Sequence, residues 1–148
     1  MDVETEACAH VRAGDGSPEI RLLIVDDHAG VRAGLSEVLS DEPDMTVVGE
    51  CEDGAQVAEA FDRLRPDVVL MDYSMPDMDG VTATRLLVAA HPEARVVVLT
   101  AQGPGVRPMA IAAGARGFAT KGASSGALLR CIRSAVAGCD CCLESLSA

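Results

Sequence analysis

Short apolar runs and amphipathic stretches alternate along the chain from residue 20 onward. "IRLLIV" (20–25), "MTVVGE" (45–50), "DVVLM" (67–71), "RVVVLT" (95–100) and "RGFAT" (116–120) have the length of strands. Runs such as "VVLM" and "VVVL" are continuous rather than alternating, the pattern of strands covered on both faces. Between them, apolar positions recur at helical spacing. "VRAGLSEVLS" (31–40) places Val31, Leu35, Val38 and Leu39 on one face, and "AQVAEAFDRL" (55–64) does the same with Val57, Ala58, Phe61 and Leu64. Residues 81–90 form a third such segment, stopped before Pro92. "RPMAIAAGA" (107–115) reads as a short, weak helix, and "SGALLRCIRSAV" (125–136) as a helix with Leu128, Ile132, Ala135 and Val136 inward. Five strands alternating with five helices predict an α/β fold: a parallel five-stranded sheet with helices on both faces.

Residues 1–18 carry Gly, Ser, Pro and charge without periodicity and read as a flexible N-terminal tail. Residues 19–138 are then one folded domain, and residues 139–148 a C-terminal tail or the start of a linker. At 148 residues and 49% hydrophobic, the chain can build a core, but with 2% aromatics that core must be aliphatic. The net charge of −11 argues against direct contact with nucleic acid or an anionic membrane and is compatible with protein partners and divalent cations. The acidic N-terminus lacks the apolar segment of a signal peptide and no run approaches a membrane span, so a cytoplasmic location is expected. In that compartment the six cysteines are expected to be reduced, and "CDCC" (139–142) lacks the paired spacing of a zinc site.

In such sheets, ligands sit beyond the carboxyl ends of the strands. Asp26 and Asp27 follow the first strand, Asp72 ends the third, Thr100 the fourth, and Lys121 follows the fifth. Taken singly, each has an ordinary explanation: helix or turn caps for the aspartates, a strand-end threonine, a solvated lysine. Together they collect on one edge. Clustered carboxylates raise one another's pKa, and a hard divalent ion such as Mg²⁺ relieves the repulsion. A carboxylate nucleophile, a metal, a cation and a hydroxyl donor make a set suited to phosphoryl transfer. His10, His28 and His91 lack ligand spacing and read as surface or loop residues.

The stretches "LLIVDDH" (22–28), "VVLMDYSMPDMDG" (68–80), "VVVLTA" (96–101) and "GARGFATK" (114–121) resemble the receiver domain of two-component response regulators, over roughly residues 20–137. The "VDDH" start and the absence of Pro after Lys121 are most similar to the branch that usually carries a LuxR-type helix-turn-helix output domain. The resemblance implies a flavodoxin-like (βα)5 three-layer sandwich of strand order 2-1-3-4-5. It implies Asp72 as phosphoacceptor, and Asp27, Asp72 and the Ser74 backbone carbonyl as Mg²⁺ ligands, with Asp26 acting through water and Mn²⁺ able to substitute. Thr100 and Lys121 would contact the phosphoryl group, Phe118 would be the rotameric switch residue, and Ser74 and Gln102 would tune the phosphoryl lifetime. The implied donor is a sensor histidine kinase. The output would be a downstream protein or a self-dimer, through helix 4–strand 5–helix 5 or helices 1 and 5. Such a protein accepts a group and is not a turnover enzyme.

The sequence departs from the family in one loop. Thr100 and Lys121 are 21 positions apart, one fewer than usual, and "AQGPGVRP" (101–108) holds two Gly and two Pro. Helix 4 is therefore expected to start late or be poorly ordered. Only 27 residues follow Lys121, too few for a DNA-binding domain of roughly 50 residues or more. A natural single-domain receiver and the N-terminal part of a DNA-binding regulator both remain open, as does a receiver-like module that binds a partner or small ligand without phosphorylation. A phosphatase of the haloacid dehalogenase type is disfavoured, because it wants D-x-D where this chain has Asp72-Tyr73-Ser74.

Overall fold

The continuous apolar runs become the strands of one sheet. The computed structural model describes residues 19–101, 104–122 and 124–138. The expected N-terminal tail with Cys8 and His10, residue Gln102, and the segment holding Cys139, Cys141 and Cys142 lie outside them. The strands are β1 (Ile20–Val25), β2 (Met45–Cys51), β3 (Val68–Asp72), β4 (Val96–Thr100) and β5 (Gly117–Thr120). The helices are α1 (Ala29–Ser40), α2 (Val57–Leu64), α3 (Gly80–Ala90), α4 (Arg107–Ala112) and α5 (Ser125–Ala137). All strand pairs are parallel, in the order β2-β1-β3-β4-β5. Every residue of β3 and β4 is buried, as their unbroken apolar sequence requires.

Alternation along the strands sorts the core into two layers. Leu23, Val25, Val69, Met71, Val96, Val98 and Phe118 pack toward α2, α3 and α4, where Phe61, Leu87 and Ala110 meet them. Ile24, Leu70, Val97, Leu99 and Ala119 face the opposite way, toward Leu39 of α1 and Leu128, Ile132 and Ala135 of α5. The expected flavodoxin-like three-layer sandwich is what forms.

Local details depart from the periodicity. In α2 the buried set is Val57, Ala60 and Phe61, and Ala58 is exposed. Positions 57, 60, 61 and 64 follow the i, i+3, i+4, i+7 rule, and Ala58 lies one step, about 100°, around the helix. In α1 only Leu39 is buried. Val31, Leu35 and Val38 instead line an open groove of about 300 Å³ between α1 and α5, together with Gly34 and Leu128, so they are only half covered. The late start expected for helix 4 is observed: a 3₁₀ turn spans Pro104–Val106, and α4 begins at Arg107 and runs only six residues. Its end turns at Gly114, whose φ of +108° suits glycine. The thiol expectation holds in part. Cys51 is a buried free thiol that burial pushes up to about 11, whereas Cys131 is disulfide-bonded. Among the described residues, no helix is long and apolar enough to cross a membrane.

Candidate functional site

Each candidate side chain is delivered by the end of a strand. β3 carries Asp72 as its last residue, with only 2% of its surface exposed. The chain then turns back on itself: Tyr73 N–H donates to the Leu99 carbonyl, and Gly80 N–H donates to the Tyr73 carbonyl, each at 2.8 Å. A Cβ on Gly80 would stand 2.2 Å from the Asp72 carbonyl oxygen, so the start of α3 can lie this close to the strand end only as glycine. Asp79 caps α3, accepting from Thr82 N–H at 2.8 Å. From the sequence, Asp79-Gly80 reads as part of the turn into this helix, but the close approach that requires glycine is not visible there. The signal for Gly80 is its place directly after a capping Asp in the turn that follows the acidic strand end.

Lys121 reaches in from the end of β5. Its Nζ lies 2.8 Å from Asp72 Oδ1 and 2.9 Å from Asp26 Oδ2. Asp26 is 1% exposed and also accepts from His28 N–H at 2.8 Å. Its contact with Lys121 is thus direct, a partner additional to the water-mediated role expected of it toward a metal. Asp27 is half-buried beside it. His28, expected to be an ordinary loop residue, places Nδ1 3.1 Å from Asp27 Oδ1 and 3.4 Å from Asp26 Oδ1. His91 also differs from that expectation, because its ring packs on Phe61 with centroids 4.6 Å apart.

Two oxygens in this group are buried without a hydrogen-bond partner: Asp72 Oδ2 and Asp27 Oδ1. An orphaned buried carboxylate oxygen is costly and marks a place for a cation. Burial, first of all, holds the Asp72 carboxyl above its ordinary value. The hydrogen bond from Lys121 works against that, and the charges of Asp26 and Asp27 add to it. Burial alone would lower Lys121, but its hydrogen bonds to Asp72 and Asp26 more than offset this, and its ammonium is held above the usual lysine value. Three carboxylates facing one lysine leave net negative charge, the condition a hard divalent ion relieves. Among the described residues, Asp26, Asp27 and His28 have donor atoms within 4.8 Å of one another. Asp72 joins them through Lys121 and by its orphaned oxygen.

Thr100 and Phe118 are both buried. Phe118 pairs with Val98, two residues before Thr100 on the same face of β4, so both switch candidates look toward α2, α3 and α4. Ser74 is exposed in the loop after β3. Gln102 lies outside the described residues.

The arrangement has close relatives. Residues 22–133 match the model of the response regulator receiver domain. The chain is 41% identical over 120 residues to the response regulator GacA of Pseudomonas viridiflava, an alignment covering 80% of this chain and 56% of that protein. It is similar in structure, with a TM-score of 0.78 and 32% identity, to a LuxR-family two-component response regulator from Aurantimonas sp. SI85-9A1, covering 81% of this chain and 86% of that one. The receiver domain of the putative response regulator NarL from Mycobacterium tuberculosis aligns with a TM-score of 0.70 and 33% identity, over 84% of this chain and 98% of that one. The chain spans about half the length of the curated relatives it matches. The buried aspartate at the end of β3, the acidic pair after β1 and the lysine that bridges them thus sit in a chain that belongs to the response-regulator receiver family of two-component systems, related to its LuxR-type members.

Proposed function

We propose that Asp72 accepts a phosphoryl group and that this phosphorylation switches a protein-interaction surface. The observation that carries the reading is the state of the Asp72 carboxylate: buried, held by Lys121 through Oδ1, and unpartnered at Oδ2. In the reaction, a carboxylate oxygen of Asp72 attacks phosphorus. The P–N bond of a kinase phosphohistidine breaks, and the imidazole leaves with the electron pair and takes up a proton. Lys121 stands where it can move from the carboxylate to the incoming phosphoryl oxygens, and Thr100 offers a hydroxyl from the neighbouring strand end. Asp26, Asp27 and Asp72 would hold Mg²⁺, with the Ser74 carbonyl as a further ligand; the ion supplies neutralisation of charge on the transferring group.

The product is a buried anion bonded to β3. Movement of Thr100 toward it would free space on the face it shares with Phe118, coupling the site to β5 and α4. The exposed Met109 and Ile111 on α4 support that region as an output surface for a downstream protein or a second copy. Hydrolysis of the acyl phosphate resets the switch.

Acetyl phosphate with Mg²⁺ tests the reading. Intact-mass spectrometry should find one added phosphoryl group on the wild type and none on Asp72→Asn. A wild type that stays unmodified, or a variant modified to the same extent, overturns it.

A further inference from the structure

His28 comes to the acidic site without a part in the phosphoryl chemistry. It precedes α1 in an extended conformation (φ −103°, ψ 115°), and its N–H is bound to Asp26 Oδ1. That tight turn folds the imidazole back over the carboxylates, with Nδ1 at 3.1 Å and 3.4 Å from one oxygen each of Asp27 and Asp26. Metal bonds of roughly 2.0–2.1 Å hold adjacent ligands of an octahedral ion about 3 Å apart. The imidazole nitrogen stands near that spacing from one oxygen of each aspartate, and all three donors lie within 4.8 Å of one another. Two independent features point to a cation here. Asp27 Oδ1, the oxygen nearest the imidazole, is buried and receives no hydrogen bond, and neither does Oδ2 of the buried Asp72. The imidazole itself is 68% exposed, so it lies on the solvent side, where an arriving ion meets it.

Nitrogen changes which ions such a site holds. Mg²⁺ prefers oxygen ligands and keeps its waters, so an imidazole adds little to its binding. Ni²⁺ and Co²⁺ take imidazole well and stand above Mn²⁺ in intrinsic affinity. We propose that His28 Nδ1 is a metal ligand, and that Asp26, Asp27 and His28 bind nitrogen-accepting divalent ions in competition with Mg²⁺. This rests on the acidic site being the metal site described above and adds a second class of ion to it. An ion held through His28 excludes Mg²⁺ from the same carboxylates.

Tyr73 follows Asp72 and is the only Tyr in a chain with no Trp, so tyrosine emission reports on this site. The full chain and His28→Ala are titrated with Ni²⁺ and, separately, with Mg²⁺, following that emission. Displacement of bound Ni²⁺ by Mg²⁺ isolates the part of the signal that belongs to this site. The expected result is Ni²⁺ affinity at least about tenfold weaker in His28→Ala, on the order of what loss of a supporting group costs a metal site, with Mg²⁺ affinity unchanged within about twofold. The Mg²⁺ titration also shows that the variant is folded. Unchanged Ni²⁺ affinity with intact Mg²⁺ binding overturns the role of His28 and leaves the phosphoacceptor reading standing. Equal weakening of both ions means that His28 only orients the carboxylates, and also overturns it. No response to Mg²⁺ in the wild type overturns the metal site itself and both readings with it.

Discussion

At the amino ends of the strands, Arg133 of α5 donates from Nε to Asp44 Oδ2 at 3.0 Å, and from one Nη to Asp44 Oδ1 at 2.9 Å and Glu42 Oε1 at 2.8 Å. At the carboxyl ends, Lys121 contacts Asp26 and Asp72 with Asp27 beside them, and two carboxylate oxygens, Asp72 Oδ2 and Asp27 Oδ1, accept no hydrogen bond. Both clusters are largely buried and both contain a cation. In the first, each oxygen of Asp44 has its own donor, and the planar guanidinium matches the carboxylate in two parallel bonds. The carboxylates hold Arg133 well above the ordinary arginine value. The second cluster has one more carboxylate and a point charge in place of a fork. The arginine cluster ties α5 to the loop before β2 and asks nothing of solvent. The lysine cluster is left in deficit, and a deficit maintained by the fold is where a cation or a transferred group can act.

The sharpest way to break the comparison is to remove the backbone frame that keeps the unbalanced end in place. Gly80→Ala would put a methyl 2.2 Å from the Asp72 carbonyl oxygen, a backbone atom that cannot swing away. Forcing the start of α3 outward should cost about 3 kcal/mol, the upper end of the usual range for an added methyl, measured by urea denaturation. The same variant should lose phosphorylation from acetyl phosphate, because the loop after β3 no longer holds its shape. A loss under about 1 kcal/mol would show that the turn can yield.

At the balanced end, Arg133→Met keeps the stem of the side chain and leaves Asp44 buried without its fork. Breaking a buried pair on one side costs about 3–5 kcal/mol. Arg133 and Glu42 are 19% and 28% exposed, so water recovers part of this and about 2–3 kcal/mol is expected. Phosphorylation should survive, since Arg133 touches nothing at the other end of the sheet. Loss of both stability and phosphorylation would mean that the two ends are coupled through α5.

The two ends also differ in how far the sequence reveals them. Asp26, Asp72 and Thr100 end or follow strands with unbroken apolar runs, Lys121 follows the shorter "GFAT" strand, and a parallel sheet carries every such residue to one edge. Asp26, Asp72, Thr100 and Lys121 are therefore legible from the order of residues along the chain. The arginine cluster is not. Arg133 sits on a helix surface and Asp44 in a loop, 89 residues apart, and neither has a pattern of its own. His28 escapes for a different reason. Its ligand-like position comes from a turn closed by its own N–H, which periodicity does not register. The half-covered face of α1 also escapes, because helical spacing shows which residues share a face and not whether a neighbouring helix comes close enough to cover it.

The smallest effect is the most direct measure of the deficit. Without divalent ions, the ionised Asp72 carboxylate is disfavoured in the folded protein, chiefly by burial and further by Asp26 and Asp27, with Lys121 only partly compensating. The native state therefore holds the Asp72 proton more tightly than the unfolded chain does. For a group raised in this way, the stability it contributes is present at low pH and is lost as pH rises from the ordinary value of 3.8 through the raised one. Asp72→Asn has no proton to lose at this position. Its stability relative to the wild type should increase as pH rises across that window and level off above it. Denaturation midpoints of the two proteins, compared at each pH in a chelating buffer, cancel the titration of all other groups that the substitution leaves undisturbed. A relative stability that falls with rising pH would place Asp72 below the ordinary carboxylate range. Lys121 would then be satisfying the site as fully as Arg133 satisfies Asp44, and the charge deficit that calls for a cation would not exist.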